Sequence, residues 1–332
     1  MPDRPSPAAL QPSSLSAPST PAPLSVEQSY DYCRKLARTA ARNFYYGFLL
    51  LPQAKRDALC ALYSFMRQVD DIADSPGELS GKQRGLAQRR AEMDRALSGN
   101  YDSNPIWPAF RHTVETYKIP QRYLHDLISG AEMDQSITEY ETFERLHEYC
   151  YRVAGCVGLC CLHVFGFSDP HAPELAESLG TAFQLTNILR DLPRDLEMGR
   201  IYLPQEDLVL FGCTRDDLAA AAPSPAFLQL MQFEADRAWQ FYREGSALLE
   251  LIDADSRSAL WALARIYSGI LEKIETRNYD VLSFPPARLT TAEKIWILAR
   301  ARLGLRNQTD AFRNRDRDRR GTGGTVLRRR AG

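Results

Sequence analysis

Apolar side chains recur at intervals of three and four residues along most of this chain, which is the spacing of one face of an α-helix. One such stretch covers residues 25–49, and a second covers 53–74 directly after Pro52, a residue that suits a helix start. Further helices are predicted at 81–98, 104–117, 120–135, 142–166, 172–191, 226–252, 255–277 and 290–302. Strand, Gly-rich turn and helix never alternate as they do in nucleotide-binding α/β folds. The pattern therefore predicts one all-α domain.

Two segments of biased composition flank the helical pattern. Residues 1–25 are rich in Pro, Ser and Ala, while residues 304–332 alternate Arg with Asp and then turn Gly-rich. Segments of this kind bury too little apolar surface to fold. We therefore expect disordered tails at 1–25 and 304–332 around a single domain at 26–303. The Arg-rich tail is expected to be solvated, with a weak attraction to anionic lipid as the alternative.

Charge and hydropathy narrow the class of protein. Lys and Arg number 41 against 42 Asp and Glu, and this balance argues against a nucleic-acid partner. Mean hydropathy is −0.36, and no apolar run approaches the ~18 residues that span a bilayer. The N-terminus lacks an apolar signal core, and the seven cysteines are irregularly spaced. We therefore expect a cytoplasmic protein with reduced thiols.

The first group of chemically informative residues is acidic and ends the second predicted helix. Asp70 and Asp74 are four residues apart, so they share a helix face and repel each other. At the C-terminal end of a helix they also oppose the helix dipole. Arg67, one turn earlier, is expected to supply part of the compensating charge. A hard divalent cation such as Mg²⁺ would supply more, because it prefers oxygen ligands.

A second acidic cluster repeats this spacing further along the chain. Asp191 and Asp195 are again four residues apart, and Gln184 and Asn187 share a face with Asp191. A stripe of oxygen-bearing side chains on a mostly apolar helix predicts the wall of a polar cavity, because buried polar groups need partners. Pro193 cannot continue a regular helix, so we expect the helix to stop short of Asp195.

Four motifs in this order and spacing resemble the squalene/phytoene synthase family over roughly residues 28–300. The motifs are Tyr63-x-x-x-Arg67-x-x-Asp70-x-x-x-Asp74, Tyr149-Cys-Tyr-Arg-Val153-Ala-Gly155-Cys-Val157-Gly158, Gln184-x-x-Asn187-x-x-x-Asp191-x-x-x-Asp195 and Gly199-Arg200-Ile-Tyr202-Leu-Pro204. The resemblance implies an all-α isoprenoid synthase bundle around a central cavity, with the two acidic motifs facing each other across the cavity mouth. It also implies that two prenyl diphosphates are the substrates, bound through Mg²⁺ or through Mn²⁺ in its place.

The resemblance also assigns roles to the residues at matching positions. The implied metal ligands are Asp70, Asp74, Asp191 and Asp195. The implied catalytic residues are Tyr63, Tyr149 and Arg67, where the tyrosines steady the cation and the arginine contacts diphosphate. The implied substrate contacts are Phe44, Arg42, Asn43, Val153, Val157, Gln184, Asn187, Arg190, Arg200, Tyr202 and Tyr267. For Tyr267, a purely structural position in the core is an equal alternative.

Two positions depart from the usual motifs of the family. The early motif reads Ala41-Arg42-Asn43-Phe44 where the family commonly has Ser on both sides of the basic residue, so Asn43 would replace one hydroxyl contact at most. Pro193 stands where Gly is common, and because both residues interrupt helices we expect function to be kept. Gly155 and Gly158 lie on an apolar helix, where they would either make room for substrate or allow close helix packing.

The reaction implied by the resemblance is a head-to-head condensation. Mg²⁺ and arginines would neutralise the leaving diphosphate, and an apolar cavity would keep the allylic cation from water. The C2–C3 double bond of a second prenyl diphosphate would attack C1 of the cation, and proton loss would close a cyclopropane. The detailed amino-acid sequence at 44–52 and 130–134 favours two farnesyl diphosphates as substrates. The expected product is presqualene diphosphate, formed without NADPH on the way to squalene or hopanoids.

Three alternatives stay open. A phytoene synthase would condense two geranylgeranyl diphosphates in carotenoid formation, and a complete squalene synthase would also use NADPH. A non-catalytic scaffold would be expected to lose acidic residues from the two motifs, yet all four are present. A lipid product implies peripheral contact with the inner face of the membrane, and the sequence leaves the oligomeric state open.

Overall fold

The computed structural model describes residues 24–101 and 103–305, and at Arg42 and Asn43 it describes the backbone alone. In these ranges the α-helices are α1 Val26–Ala40, α2 Arg42–Phe48, α3 Gln53–Ala73, α4 Leu79–Leu97, α5 Trp107–Thr116, α6 Gln121–Ser136, α7 Phe143–Cys150, α8 Cys156–Phe165, α9 Ala172–Glu197, α10 Gln205–Phe211, α11 Arg215–Leu218, α12 Pro225–Gly245, α13 Leu248–Leu251, α14 Arg257–Thr276 and α15 Thr291–Arg302. A π-helical turn at Tyr151–Gly155 joins α7 to α8. The all-α prediction is confirmed. The predicted tails lie almost wholly outside the described residues.

Most predicted helices form close to their expected bounds, but some predicted stretches divide. Residues 25–49 form α1 and α2, because the chain turns at Ala41, whose amide donates to Ala37 O at 2.8 Å and closes α1. Residues 226–252 form α12 and the short α13. Helices α10 and α11 were not predicted, since seven and four residues carry too little periodicity to be recognised.

The helix that carries the second acidic cluster is longer than predicted. The expectation that Asp195 lies beyond a helix end is wrong, because α9 continues through Pro193 to Glu197. Proline removes one N–H from the helix ladder, but Leu192 before it is buried and Leu196 after it packs partly buried against the core, which holds the last turns in place. The helix closes where the Arg200 amide donates to Asp195 O at 2.8 Å. Asp195 therefore follows Asp191 by one turn of the same helix.

Helix α9 forms the centre of the bundle. It packs against α12, α8, the π turn and α14, while α3 packs against α1, α5, α6 and α8. The largest fully buried side chains include Trp107, Trp239, Trp261, Phe65 and Phe110. None of the helices in the described ranges combines the length and the apolar character that crossing a bilayer requires.

Close packing of α8 on α9 depends on glycine. A Cβ at Gly158 would lie 2.8 Å from Ala176 O, which is nearer than real Cβ contacts. On the facing helix, a Cβ at Gly180 would lie 2.6 Å from Ala154 O. Of the two uses predicted for Gly155 and Gly158, close helix packing accounts for Gly158. Gly155 also lies at this contact, since a Cβ at Gly180 would be 2.9 Å from Gly155 Cα, while a Cβ at Gly155 itself would meet the side chains of Tyr151 and Glu177 at 3.2 and 3.3 Å.

Candidate active site

A cavity of ≈ 380 Å³ lies between α3, α6, α8, α9 and α14, and two side chains of α2 complete its wall. This volume is in the range of small-molecule sites. The predicted site residues in the wall are Phe44, Tyr63, Asp70, Asp74, Tyr149, Val153, Val157, Gln184, Asn187 and Tyr267. The side chains of Arg42 and Asn43 lie outside the described part of the structure, so their roles stay predictions.

The charged side chains of the wall come from the C-terminal ends of helices. Asp70 lies in the last turn of α3 and Asp74 follows that helix directly, while Asp134 lies in the last turn of α6. Asn187 adds an amide from the second half of α9. Helix C-termini carry partial negative charge, and these carboxylates add to it. We call this part of the cavity the acidic end, and its charge suits it to binding cations.

Away from the acidic end the wall becomes apolar. Leu59 precedes Asp70 on α3 by about three turns, which corresponds to ~16 Å along the helix axis. The apolar part of the wall includes Leu59, Leu62, Leu127, Leu162, Phe165, Leu179, Leu260 and Leu263. A cavity with one charged end and a long apolar interior matches a ligand that has an anionic head, a bridging cation and a hydrocarbon chain.

The two acidic clusters share one electrostatic environment. Burial, and then the like charge of Asp74, raise the pKa of Asp70 to about 7. Burial, and then the like charge of Asp191, raise the pKa of Asp195 to about 7. Asp134 contributes to both shifts, so it lies within electrostatic reach of both clusters. Carboxylates in this state lack compensating positive charge.

Asp134 is a site residue that the sequence analysis did not single out. Its carboxylate accepts a hydrogen bond from Tyr202 Oη at 2.6 Å and forms an ion pair with Arg200 Nη1 at 3.3 Å. Arg200 Nη2 also donates to the Asp134 carbonyl oxygen at 3.0 Å. The only sequence signal was an acidic residue at the end of the helix predicted at 120–135. The stretch at 130–134 bears otherwise only on the choice between substrates.

Three stacked tyrosines connect Asp134 to the cavity wall. The Tyr149 and Tyr202 ring centroids lie 5.2 Å apart, Tyr149 Oη donates to Tyr202 Oη at 3.5 Å, and Tyr140 stacks against both rings. Burial raises the pKa of Tyr149 well above its usual value, so its phenol keeps the proton at neutral pH. Tyr202 and Arg200, predicted as substrate contacts, do not line the cavity and instead hold Asp134 from behind.

The other two predicted arginines form ion pairs beside the acidic clusters. Arg67 binds Asp71 at 2.6 Å rather than Asp70, although its charge still lowers the pKa of Asp70. Arg190 Nε donates to Asp191 Oδ1 at 2.8 Å, and Arg190 Nη2 bonds the second oxygen of the same carboxylate. Arg67 thus supplies part of the compensating charge for Asp70, as expected, while its direct ion pair is with Asp71. This pair forms because Asp71 is one helical turn after Arg67.

Aromatic rings line the cavity wall. Tyr267 stacks on Phe183 with centroids 4.5 Å apart and an interplanar angle of 11°, and it lies 5.6 Å from the ring of Phe44. Tyr267 is 4% exposed and also lines the cavity, so it belongs both to the core and to the cavity wall, and its contact with substrate stays a prediction. Rings in such positions attract a cation within ~6 Å of their faces.

The π turn at Tyr151–Gly155 shapes one side of the cavity. Val153 and Ala154 belong to the turn, and Val157 and Gly158 to the start of α8; all four line the cavity. A π turn inside a helical stretch frequently marks a functional site. The sequence predicted a regular helix at 142–166, because apolar spacing does not reveal a single widened turn.

The oxygen atoms at the acidic end fit a divalent metal ion. Asn187 Oδ1 is buried without a hydrogen-bond partner, while Asn187 Nδ2 donates to Gln184 Oε1 at 3.4 Å. A buried orphan oxygen beside uncompensated carboxylates is a donor set for a hard cation. Among the described residues, no group of three His, Cys, Asp or Glu side chains converges on one point. A metal here would therefore also need oxygens from a bound diphosphate.

Comparisons with known proteins show which family the chain belongs to. The sequence model of the squalene/phytoene synthase family matches residues 37–293. The 15-cis-phytoene synthase of Synechocystis sp. is 36% identical over 280 residues, which cover 80% of this chain and 82% of the relative. The crystal structure of a dehydrosqualene synthase has a TM-score of 0.78 at 30% identity, covering 84% of this chain and 97% of the other. Squalene synthase HpnC from Alicyclobacillus acidocaldarius has a TM-score of 0.72 at 31% identity, covering 76% and 95%.

The helical bundle and its central cavity define the all-α isoprenoid synthase fold. Within that class, the chain belongs to the squalene/phytoene synthase family. The protein is accordingly a prenyltransferase that joins prenyl diphosphates head to head.

Proposed function

We propose that the protein is a phytoene synthase that condenses two geranylgeranyl diphosphates. The support is the 36% identity to a 15-cis-phytoene synthase over four-fifths of both chains. This similarity outweighs the short stretches at 44–52 and 130–134 that favoured farnesyl diphosphate, because it extends over the whole catalytic region. We further propose that residues 26–303 form the catalytic unit.

Binding of the first substrate would bring its diphosphate to the acidic end. Asp70, Asp74 and the orphan Asn187 Oδ1 line this end, Asp191 and Asp195 follow Asn187 on α9, and together these residues would hold Mg²⁺ there. The metal supplies positive charge that stabilises the departing diphosphate. The C1–O bond of the first substrate breaks, and the diphosphate leaves with the bonding electron pair. Arg67 and Arg190 lie next to the acidic clusters and would add further positive charge.

The allylic cation would remain in the apolar part of the cavity, away from water. The faces of Tyr267 and Phe183 and the oxygen of Tyr63 would steady it. The C2–C3 double bond of the second substrate attacks C1, and loss of a proton to the released diphosphate closes a cyclopropane. Tyr149 stays protonated because it is buried, so its hydroxyl would donate to diphosphate oxygen by turning away from Tyr202, to which it donates at 3.5 Å without substrate.

The second half of the reaction determines the need for a reductant. Departure of the second diphosphate from the cyclopropyl intermediate, rearrangement and loss of a second proton give a neutral C40 hydrocarbon. Atoms and electrons balance without a hydride donor, so this function does not require NADPH. A saturated central bond, as in squalene, would need a hydride from NADPH.

A C30 product is the second candidate. The observation that favours it is structural similarity at 30% and 31% identity to a dehydrosqualene synthase and to squalene synthase HpnC. In that case two farnesyl diphosphates would enter the same cavity, and presqualene diphosphate would be the first product. The acidic end would act in the same way for both chain lengths, because the diphosphate heads are identical.

A product assay tests the proposal. Purified full-length protein receives farnesyl or geranylgeranyl diphosphate with Mg²⁺ or Mn²⁺, with and without NADPH, and the lipid extract is analysed by mass spectrometry. We expect a C40 hydrocarbon from geranylgeranyl diphosphate, unchanged by NADPH. A C30 product from farnesyl diphosphate, with none from the longer substrate, would overturn the proposal. A cyclopropyl diphosphate would identify a presqualene diphosphate synthase, and NADPH-dependent squalene a complete squalene synthase.

The control is a variant that lacks one carboxylate of each acidic cluster. Asp70→Asn with Asp191→Asn should keep the fold and lose all turnover, since both clusters lose a carboxylate. Full activity of this double variant would disprove the assignment of the site. Absence of any product from wild-type protein with either substrate would favour the scaffold alternative.

A further inference from the structure

The outer side of α15 is apolar and exposed to solvent. Ile295 and Trp296 are 57% and 56% exposed, and Leu303, directly after the helix, is 73% exposed. At 100° per residue, the exposed apolar positions between residues 292 and 303 fall within about a quarter of the helix circumference. This outer stripe consists of Ala292, Ile295, Trp296, Ala299 and Leu303. Ile297 and Ala301 on the opposite side of the helix are buried against the bundle.

Trp296 differs from the other tryptophans of the chain. Trp107, Trp239 and Trp261 are each at most 1% exposed. An indole has a large apolar body and one polar N–H, so it is stable at a boundary between water and hydrocarbon. The guanidinium of Arg300 lies 4.7 Å from the centre of the Trp296 ring, which places positive charge beside the outer stripe.

Positive charge is concentrated in this part of the chain. Residues 288–332 contain thirteen Lys and Arg against four Asp and Glu, a net charge of +9, whereas the whole chain has a net charge of −1. The remaining residues therefore carry a net charge of −10. Basic residues within and after α15 include Lys294, Arg300, Arg302 and Arg306, so the charge begins at the outer stripe and continues beyond it.

We propose that the outer stripe and the basic residues after it dock the protein on an anionic lipid surface. An exposed apolar stripe and a basic segment each bind such a surface weakly, and together they give stable attachment. A second copy of this chain is disfavoured as the occupant, because two segments of the same strong positive charge would repel each other. Nucleic acid would leave the apolar stripe unburied.

The position of α15 gives this docking a consequence for the cavity. α15 packs on α14 and α2. Those two helices contribute Leu263, Tyr267 and Phe44 to the cavity wall. A bilayer in contact with the outer stripe would thus lie one helix layer from the apolar interior, where a hydrocarbon product is formed. Docking does not depend on the chain length of that product.

Vesicle flotation of the full-length protein tests the docking. The vesicles contain phosphatidylcholine alone or with about one third phosphatidylglycerol. We expect at least tenfold stronger binding to the anionic vesicles, and weaker binding at high salt because salt screens the attraction. Ile295→Ser with Trp296→Ser should reduce binding to anionic vesicles about tenfold or more, since it removes the inserted apolar surface.

The matched control replaces another exposed apolar pair. Val209 and Leu210 on α10 are 80% and 68% exposed, so Val209→Ser with Leu210→Ser removes comparable surface elsewhere. We expect this control to bind vesicles like the wild type. Both double variants should keep the wild-type melting temperature, and in detergent they should keep turnover of whichever substrate the wild type uses. Because turnover in detergent is measured apart from vesicle binding, failure of docking can be distinguished from failure of the proposed function.

Tryptophan fluorescence gives a second readout. Brominated lipid should quench part of the emission of the bound protein, and Trp296→Phe should remove that part, because the other three tryptophans are buried. The proposal is overturned if anionic vesicles do not bind the protein, or if the α15 variant binds as well as the α10 control. A change from dimer to monomer in the α15 variant, with vesicle binding unchanged, would instead identify the stripe as a subunit interface.

Discussion

At the scale of single residues, Asp134 is the carboxylate that links the two acidic clusters. It raises the pKa of both Asp70 and Asp195, and Tyr202 and Arg200 hold it in one orientation. The sequence places Asp134 on a different helix from either cluster, with no partner at a spacing of four. Its role therefore follows from the packing of α6 between α3 and the π turn before α8.

Replacing Asp134 by Asn should lower turnover about a hundredfold, because one carboxylate of a preorganised charged site is lost. Steady-state kinetics measure kcat and KM, and thermal melting checks the fold. Glu132→Gln, on the same helix and paired with Arg90, is the matched control and should keep activity. Unchanged kcat in Asp134→Asn would show that the carboxylate serves the fold alone.

Glu234 is a further buried carboxylate with a raised pKa, and it lies outside the active site. It is 2% exposed, and Arg237 binds both Glu234 at 2.7 Å and Asp207 at 2.8 Å. Burial raises the pKa of Glu234 to about 8, despite the opposing charge of Arg237. One arginine between two buried carboxylates cannot neutralise both of them.

This raised pKa predicts a pH-dependent stability. Between pH 5 and 8 the folded state keeps the Glu234 proton while the unfolded state loses it, so the free energy of unfolding falls as pH rises. The slope is at most about 1.4 kcal/mol per pH unit. Glu234→Gln cannot titrate, so denaturant unfolding should show the variant gaining stability relative to wild type from pH 5 to 8. A constant difference between the two proteins at both pH values would contradict the prediction.

At the scale of helices, small residues and irregular turns position the cavity wall. α8 approaches α9 closely at Gly158, and the π turn before it brings Val153 towards the cavity. α9 continues past Pro193, which keeps Asp195 on the same helix as Asp191. The geometry of the second acidic cluster is therefore set by packing around the helix, against the local preference of proline.

Gly158→Ala should lower the free energy of unfolding by about 1–3 kcal/mol, because the added Cβ would meet Ala176 O and push the two helices apart. Activity should fall with it, since Gly158 also lines the cavity. Gly81→Ala on α4 is the control: its Cβ would meet no atom within 4 Å, so stability should be kept or rise slightly. Chemical denaturation measures both variants, and equal stability of Gly158→Ala and wild type would refute this account.

At the scale of the whole molecule, the fold brings the acidic ends of several helices to one end of an apolar cavity. α3 and α6 each end at the cavity with carboxylates, and their dipoles add negative charge. The carboxylates repel one another, and this unfavourable energy is offset only when cations bind there. Apolar side chains from the same helices enclose the rest of the cavity, so one bundle supplies both the charged site and the space for the hydrocarbon chains.

The fold therefore predicts that metal and diphosphate stabilise the protein together. Mg²⁺ with inorganic diphosphate should raise the melting temperature of the wild type more than the sum of the two separate effects, corresponding to about 2–3 kcal/mol when both are well above their dissociation constants. EDTA should abolish turnover. The increase should disappear in Asp70→Asn with Asp191→Asn and persist in Asp216→Asn, an exposed control on α11. An equal increase in the double variant would place the metal elsewhere.

The sequence alone determined most of the helices, the all-α class and the carboxylates of the two acidic motifs. These follow from local spacing, because residues three and four apart share a helix face whatever surrounds the helix. The tertiary structure alone decided that Asp134 acts on both acidic clusters, that Tyr202 holds Asp134 and that α9 passes through Pro193. Each of these depends on burial and on which side chains meet in three dimensions, and periodicity along one helix carries no information about either.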